Sequence, residues 1–180
     1  MKFEIPGRVE PLEAVAPGTP FVGRIGEIPT LCLKVFFRDE DGRAVEKIVA
    51  LAPGLDAYDG RPGIVDPEML SAPAVLTRPD LRIAVSPQDW SAVTFVDTAE
   101  PESAGTIVLS GDRAYLKFLQ GAAADSPVEL VDLESGEISR PGDRAYQVGL
   151  TSWVVAAPGP AEDEILLRAD TDDAPDDDDA

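Results

Sequence analysis

The sequence has no histidine, no asparagine, one cysteine and four lysines in 180 residues. Each shortage excludes chemistry. Without imidazole there is no His general base, no Ser-His or Cys-His nucleophile pair, and no His-ligated zinc or iron. A single cysteine rules out an internal disulfide and any multi-cysteine metal site. No apolar run approaches the roughly 18 residues that cross a bilayer. A phosphate loop of the Gly-x-x-x-x-Gly-Lys-Ser/Thr type and a Gly-x-Ser-x-Gly elbow are also missing. Bases are few, 15 against 34 acids, for a net charge of −19. That sign is wrong for displacing counterions from phosphates, so direct nucleic-acid binding is not expected. No cofactor is expected either.

The apolar fraction of 44% is that of an ordinary globular protein, and 19.1 kDa suffices for one domain with a core or two small ones. The start, Met1-Lys2-Phe3-Glu4-Ile5-Pro6, puts an acid and a proline where a signal peptide needs a long apolar stretch. The expectation is a cytoplasmic protein without a membrane partner. Cys32, between Leu31 and Leu33, reads as a reduced, buried thiol.

The acidity is uneven. From Glu162 onward ten acids face one base, Arg168, whereas the rest of the chain carries 24 acids and 14 bases. Residues 169–180 cannot bury apolar surface and are expected to form a disordered acidic tail. Residues 1–168 form the expected β-rich globular body, with a subdivision suggested near 99–105.

The body reads as mainly β. Thr30 to Phe37 and Arg43 to Leu51 flank Asp39-Glu40-Asp41-Gly42, the clearest hairpin signal in the chain. Strands are also expected at Lys2 to Ile5, Thr19 to Ile25, Ala74 to Leu76, Leu81 to Val85, Val93 to Val96 and Thr106 to Leu109. Later ones cover Ala114 to Leu119, Val128 to Leu133, Glu137 to Ser139, Tyr146 to Ala156 and Ile165 to Leu167. Short helical turns are signalled at Ser86-Pro87, Asp66-Pro67 and Pro160-Ala161. The fold class expected is an antiparallel sandwich or a barrel-like domain. Gly111-Asp112-Arg113-Ala114-Tyr115 recurs as Gly142 to Tyr146, and Ala-Pro-Gly follows a strand at both Ala52 and Ala157. These echoes allow two small related β units, although similar turns recruiting similar residues account for them as well.

The longest irregular stretch expected is 53–71, holding Asp56, Tyr58, Asp59, Arg61, Asp66 and Glu68. Long loops in compact domains are often functional. Carboxylates paired in such a loop can do glycosidase-type acid–base work if one is desolvated. A solvated acidic loop is the plainer reading. Lys34, Lys47 and Lys117 alternate with apolar neighbours, which predicts outward positions on half-buried strands. Trp153 reads as core, and Trp90 as an exposed anchor or core. The binding residues singled out are therefore Tyr58, Asp59, Arg61, Asp66 and Trp90.

Three functions are compatible with this inventory. The first is a non-enzymatic accessory, structural or assembly protein whose partner is another protein, with a basic surface, or a second copy. The second is an acidic mimic of DNA that occupies a basic nucleic-acid-binding protein. The third is a carboxylate enzyme or carbohydrate binder using the 53–71 loop. The missing catalytic repertoire favours the first.

Overall fold

The computed structural model describes residues 7–51, 61–78, 80–84, 93–98, 100, 103–121, 126–139, 146–158 and 164–170. Alternating apolar residues produce strands, and Gly and Pro separate them. In chain order they are β1 (Arg8–Pro11), β2 (Pro20–Ile25), β3 (Ile28–Arg38), β4 (Ala44–Ala50), β5 (Gly63–Val65), β6 (Ala74–Thr77) and β7 (Arg82–Ala84). There follow β8 (Val93–Asp97), β9 (Ile107–Ser110), β10 (Arg113–Leu119), β11 (Val128–Asp132) and β12 (Ile138–Ser139). The chain closes with β13 (Tyr146–Leu150), β14 (Ser152–Ala157) and β15 (Glu164–Asp170). Helical structure among the described residues is limited to 3-10 turns such as Leu12–Ala14 and Pro67–Met69. No described helix is long and apolar enough to cross a membrane.

Twelve strands form one large sheet, and β15-β14-β7 form a small antiparallel one. The large sheet is mixed rather than antiparallel, because β10 meets β5 in parallel at Leu119–Gly63. A second parallel contact joins Phe36 to Glu137, but it is an isolated bridge. One bridge is not a ladder, so the expected barrel does not close.

The strand order contains its own repeat. The series β1-β6-β2-β3-β4-β5 recurs as β8-β13-β9-β10-β11-β12. Lys34 lies opposite Ile48 as Lys117 lies opposite Leu130. The N–H of Gly18 donates to the Lys34 carbonyl at 2.8 Å, and that of Gly105 to the Lys117 carbonyl at 2.8 Å. The two series clasp reciprocally: Leu119 N–H donates to Pro62 O at 3.0 Å, and Phe36 N–H to Gly136 O at 2.9 Å. The small sheet adds a third clasp, since β7 pairs with β14 at Ile83–Val155. The literal pentapeptide repeat falls elsewhere. Its first copy enters β10 and its second leads to β13, which hold different places in one and the same series; residues 142–145 lie outside the described set.

The structure departs from the sequence expectations at two places, and two expected turns form. Tyr146 to Ala156 reads as one apolar run but splits at Thr151, with β13 in the large sheet and β14 in the small one. No Gly or Pro marks that break. The 53–71 stretch contains β5, which is three residues long and held by long-range pairing to β4 and β10. Asp66 precedes a 3-10 turn, with no side-chain cap bond. The Asp39–Gly42 hairpin forms as expected: Asp39 Oδ1 accepts from the N–H groups of Asp41 (3.0 Å) and Arg43 (2.8 Å), and Gly42 takes φ +76°.

The central core joins both series to the small sheet. Leu33, Val35 and Val49 meet Ile107, Leu116, Phe118 and Val131, under Trp153, Val155 and Leu167. Each series has a second, smaller core of its own: Phe21, Cys32 and Ile48 in the first, Val96, Val108 and Leu130 in the second. Trp153 is fully buried and donates Nε1–H to Gly105 O at 2.6 Å, as a buried indole requires. Cys32 is buried too, and burial pushes its thiol up to about 12, partly offset by a backbone hydrogen bond from Gly23.

Candidate functional site

Tyr58, Asp59 and Trp90 lie outside the described residues. Arg61 is half-buried just before β5, and Asp66 is exposed just after it, so they sit at opposite ends of that strand. Asp66 reaches across to β4, where its Oδ1 accepts from Lys47 Nζ at 2.6 Å. This pair stands beside a cleft of about 710 Å³ between the two series, lined in part by Phe37, Lys47, Ile64, Gln120, Glu129 and Ile138. By register these residues fall into corresponding pairs: Phe37 with Gln120, Lys47 with Glu129, Ile64 with Ile138. The cleft therefore lies where the two series meet. Some of its charges are used internally: Arg38 Nε pairs with Glu137 Oε1 at 3.3 Å, and the Arg38 guanidinium lies 5.8 Å above the Phe36 ring. Among the described residues no cluster of acids or cysteine is arranged to hold a metal.

A second cleft, about 410 Å³, adjoins the β9–β10 turn. Its main polar group is Asp132, whose side chain is 6% exposed. Burial opposes ionisation of Asp132, but the N–H groups of Ser135 and Glu134 and the Arg113 guanidinium outweigh it and hold the carboxyl below its usual range. Oδ1 accepts from Glu134 N–H at 2.9 Å and Ser135 N–H at 3.0 Å, and Oδ2 from Arg113 at 3.0 Å. With both oxygens occupied, Asp132 fixes the Leu133–Gly136 turn rather than offering a free base.

Two of the three strand lysines contradict the outward expectation. Lys34 is 2% exposed and Lys117 fully buried. Each is the corresponding residue of its series and folds under the segment that follows the edge strand. Lys34 Nζ donates to Leu12 O at 3.1 Å and pairs with Glu46 Oε1 at 2.9 Å. Lys117 Nζ donates to Asp97 O at 2.6 Å, to Glu100 O and to Ser103 Oγ. Alternation in sequence gives the face of a strand, but not whether a loop covers that face. Lys47, whose side chain is 30% exposed, is the one nearest the expectation.

Both clefts are lined by charged residues, several of them engaged in the pairs above. A different surface feature is apolar. Register places Phe95 (β8), Val148 (β13), Leu109 (β9) and Ala114 (β10) in one row across four adjacent strands. Phe95 is 75% exposed and Leu109 39%. The row is two residues along from Leu150, Ile107 and Leu116, which pack in or against the central core, so it continues that layer out to the surface. On the other face of β8, Val96 is buried against Val108 and Leu130 and anchors the strand with Phe95 outward.

The first series has a matching row, Val9–Leu76–Val22–Leu31. Its edge differs. Strand β1 reads Arg-Val-Glu-Pro, with charges and a proline that discourage pairing; β8 reads Val-Thr-Phe-Val-Asp, with neither lysine nor proline. The sequence reading passed over Phe95 because an alternating run does not tell the core face from an uncovered one. Only its edge position in the sheet does.

Against family models, curated proteins and solved structures, the chain matches none.

Proposed function

We propose that this chain is a non-enzymatic accessory or assembly protein that works by binding another protein over the row headed by Phe95. The observation that carries this reading is the 75% exposure of Phe95 on an edge strand, in line with Val148 and Leu109. An aromatic residue standing alone on a surface is unremarkable, whereas one continuous with an apolar row is the anchor chemistry of protein interfaces. The body's acids support the DNA-mimic alternative less well. Glu46, Asp66, Asp132 and Glu137 are paired with Lys34, Lys47, Arg113 and Arg38, which takes them out of any phosphate-like array.

The test is affinity capture from source cells with the wild type, Phe95→Arg and Val9→Arg, followed by native mass measurement of the purified complex. A stoichiometric partner held by the wild type and Val9→Arg but lost with Phe95→Arg is expected. A partner retained equally by all three sinks the docking surface.

A further inference from the structure

We infer that β8 takes up an extended, basic segment of the partner as an added strand on the edge that it forms among the described strands of the large sheet; this rests on the docking reading above. Strand β8 ends the sheet path and pairs with β13 alone among the described strands. In an antiparallel ladder every second N–H and C=O of an edge strand points away from its one neighbour, so β8 presents a template for backbone hydrogen bonds. The two ends of the path can be compared directly, because β1 and β8 hold corresponding places. One carries Arg8, Glu10 and Pro11, the usual safeguards against strand addition. The other carries none of them at Val93 to Phe95, and puts its aromatic residue outward.

The occupant's chemistry follows from side chains and charge. An added strand places alternate residues beside Phe95 and over the Val148–Leu109 row, so these must be apolar. Near the end of β8 lie Asp97 and the exposed Glu100, on a chain of net charge −19. Lys or Arg at the intervening positions of the guest is attracted by that field, whereas an acidic guest is repelled. A second copy is the poorer guest, since it brings another −19 to the same edge.

The test uses the full-length protein and three decapeptides: alternating valine and lysine, alternating valine and glutamate, and the lysine peptide with alternate amides N-methylated. Amide hydrogen exchange reads residues 93–97, and fluorescence anisotropy reads affinity. The expected result is protection of 93–97 by the lysine peptide alone, weakened roughly tenfold or more by Phe95→Arg. Val9→Arg should leave it unchanged, and added salt should weaken it. Equal protection by the glutamate or N-methylated peptide overturns the inference. So does protection of 93–97 that rises with protein concentration without peptide, which assigns the edge to a second copy. The two readings separate on the natural partner. If its complex needs Phe95 but leaves 93–97 unprotected, strand addition falls and docking stands. If it binds Phe95→Arg as tightly as the wild type, docking itself falls.

Discussion

Replacing Lys117 by methionine removes a buried ammonium at nearly constant length and volume. In the wild type that ammonium donates to Asp97 O, Glu100 O and Ser103 Oγ, and so ties the end of β8 to β10. The variant removes the charged donor from two carbonyls and a hydroxyl, where such bonds contribute about 1.5–3 kcal/mol each; Ser103 Oγ, within 3.2 Å of Asp97 O and 3.1 Å of Glu100 O, remains to compensate in part. It also relieves the desolvation cost of the ammonium and buries an apolar thioether instead, which offsets part of the loss. A net cost of about 2–4 kcal/mol remains, a large share of the ~5–15 kcal/mol typical of a folded domain. Urea unfolding followed by tryptophan fluorescence reads it. With an m value of about 2 kcal/mol/M, the midpoint should fall by roughly 1–2 M. Lys47→Met is the internal control, because its partner Asp66 is exposed and such pairs contribute about 0–1 kcal/mol. If Lys117→Met costs no more than Lys47→Met, the assignment of Lys117 as a structural tie is wrong.

Lys34→Met should destabilise in the same sense but less, since one of its partners, Glu46, is half exposed and can return to water; the same urea series measures it. Gly136→Ala should be far worse than Gly42→Ala. Both glycines have positive φ, worth about 1–2 kcal/mol of strain, but a Cβ at Gly136 would stand 2.3 Å from Gly18 N, whereas Gly42 faces open space. Thermal unfolding of the two variants decides this. Cys32 should resist thiol reagents in mildly alkaline buffer until the protein is unfolded, because burial holds its pKa at about 12; rapid labelling of the native protein would contradict that. The carboxyl of Asp132 is held below its ordinary value of 3.8, so its contribution is present above that pH and lost as pH falls through the lower folded value. Asp132→Asn should therefore lower stability in neutral buffer and flatten the acid limb of the stability curve. An unchanged acid limb would contradict this.

The β character and most strand positions were legible because they depend on local alternation and turn residues. The Asp39–Gly42 hairpin is the clearest case, with side chain, backbone and pattern all agreeing. What was not legible depends on contacts between distant segments. Strand β5 exists because β4 and β10 supply its partners, and three residues carry no pattern of their own. The repeat of strand order is hidden for the same reason: Lys34 and Lys117 hold corresponding places, but Phe37 corresponds to Gln120 and Lys47 to Glu129, so residue types are not kept. The pentapeptide that does repeat in sequence leads into β10 and β13, which are not corresponding strands. Of the site residues read from sequence, Asp66 finds Lys47, and Arg61 adjoins β5 at its other end. Phe95 was missed because its exposure is a property of the sheet edge rather than of its neighbours in sequence.

The affinity of the purified natural partner for wild-type protein and for Phe95→Arg, measured side by side with Val9→Arg, decides whether the β8 row is the docking surface. Binding through the β8 row predicts a loss of at least about tenfold for Phe95→Arg and none for Val9→Arg. Equal affinity for all three proteins, each shown to be folded, would contradict it.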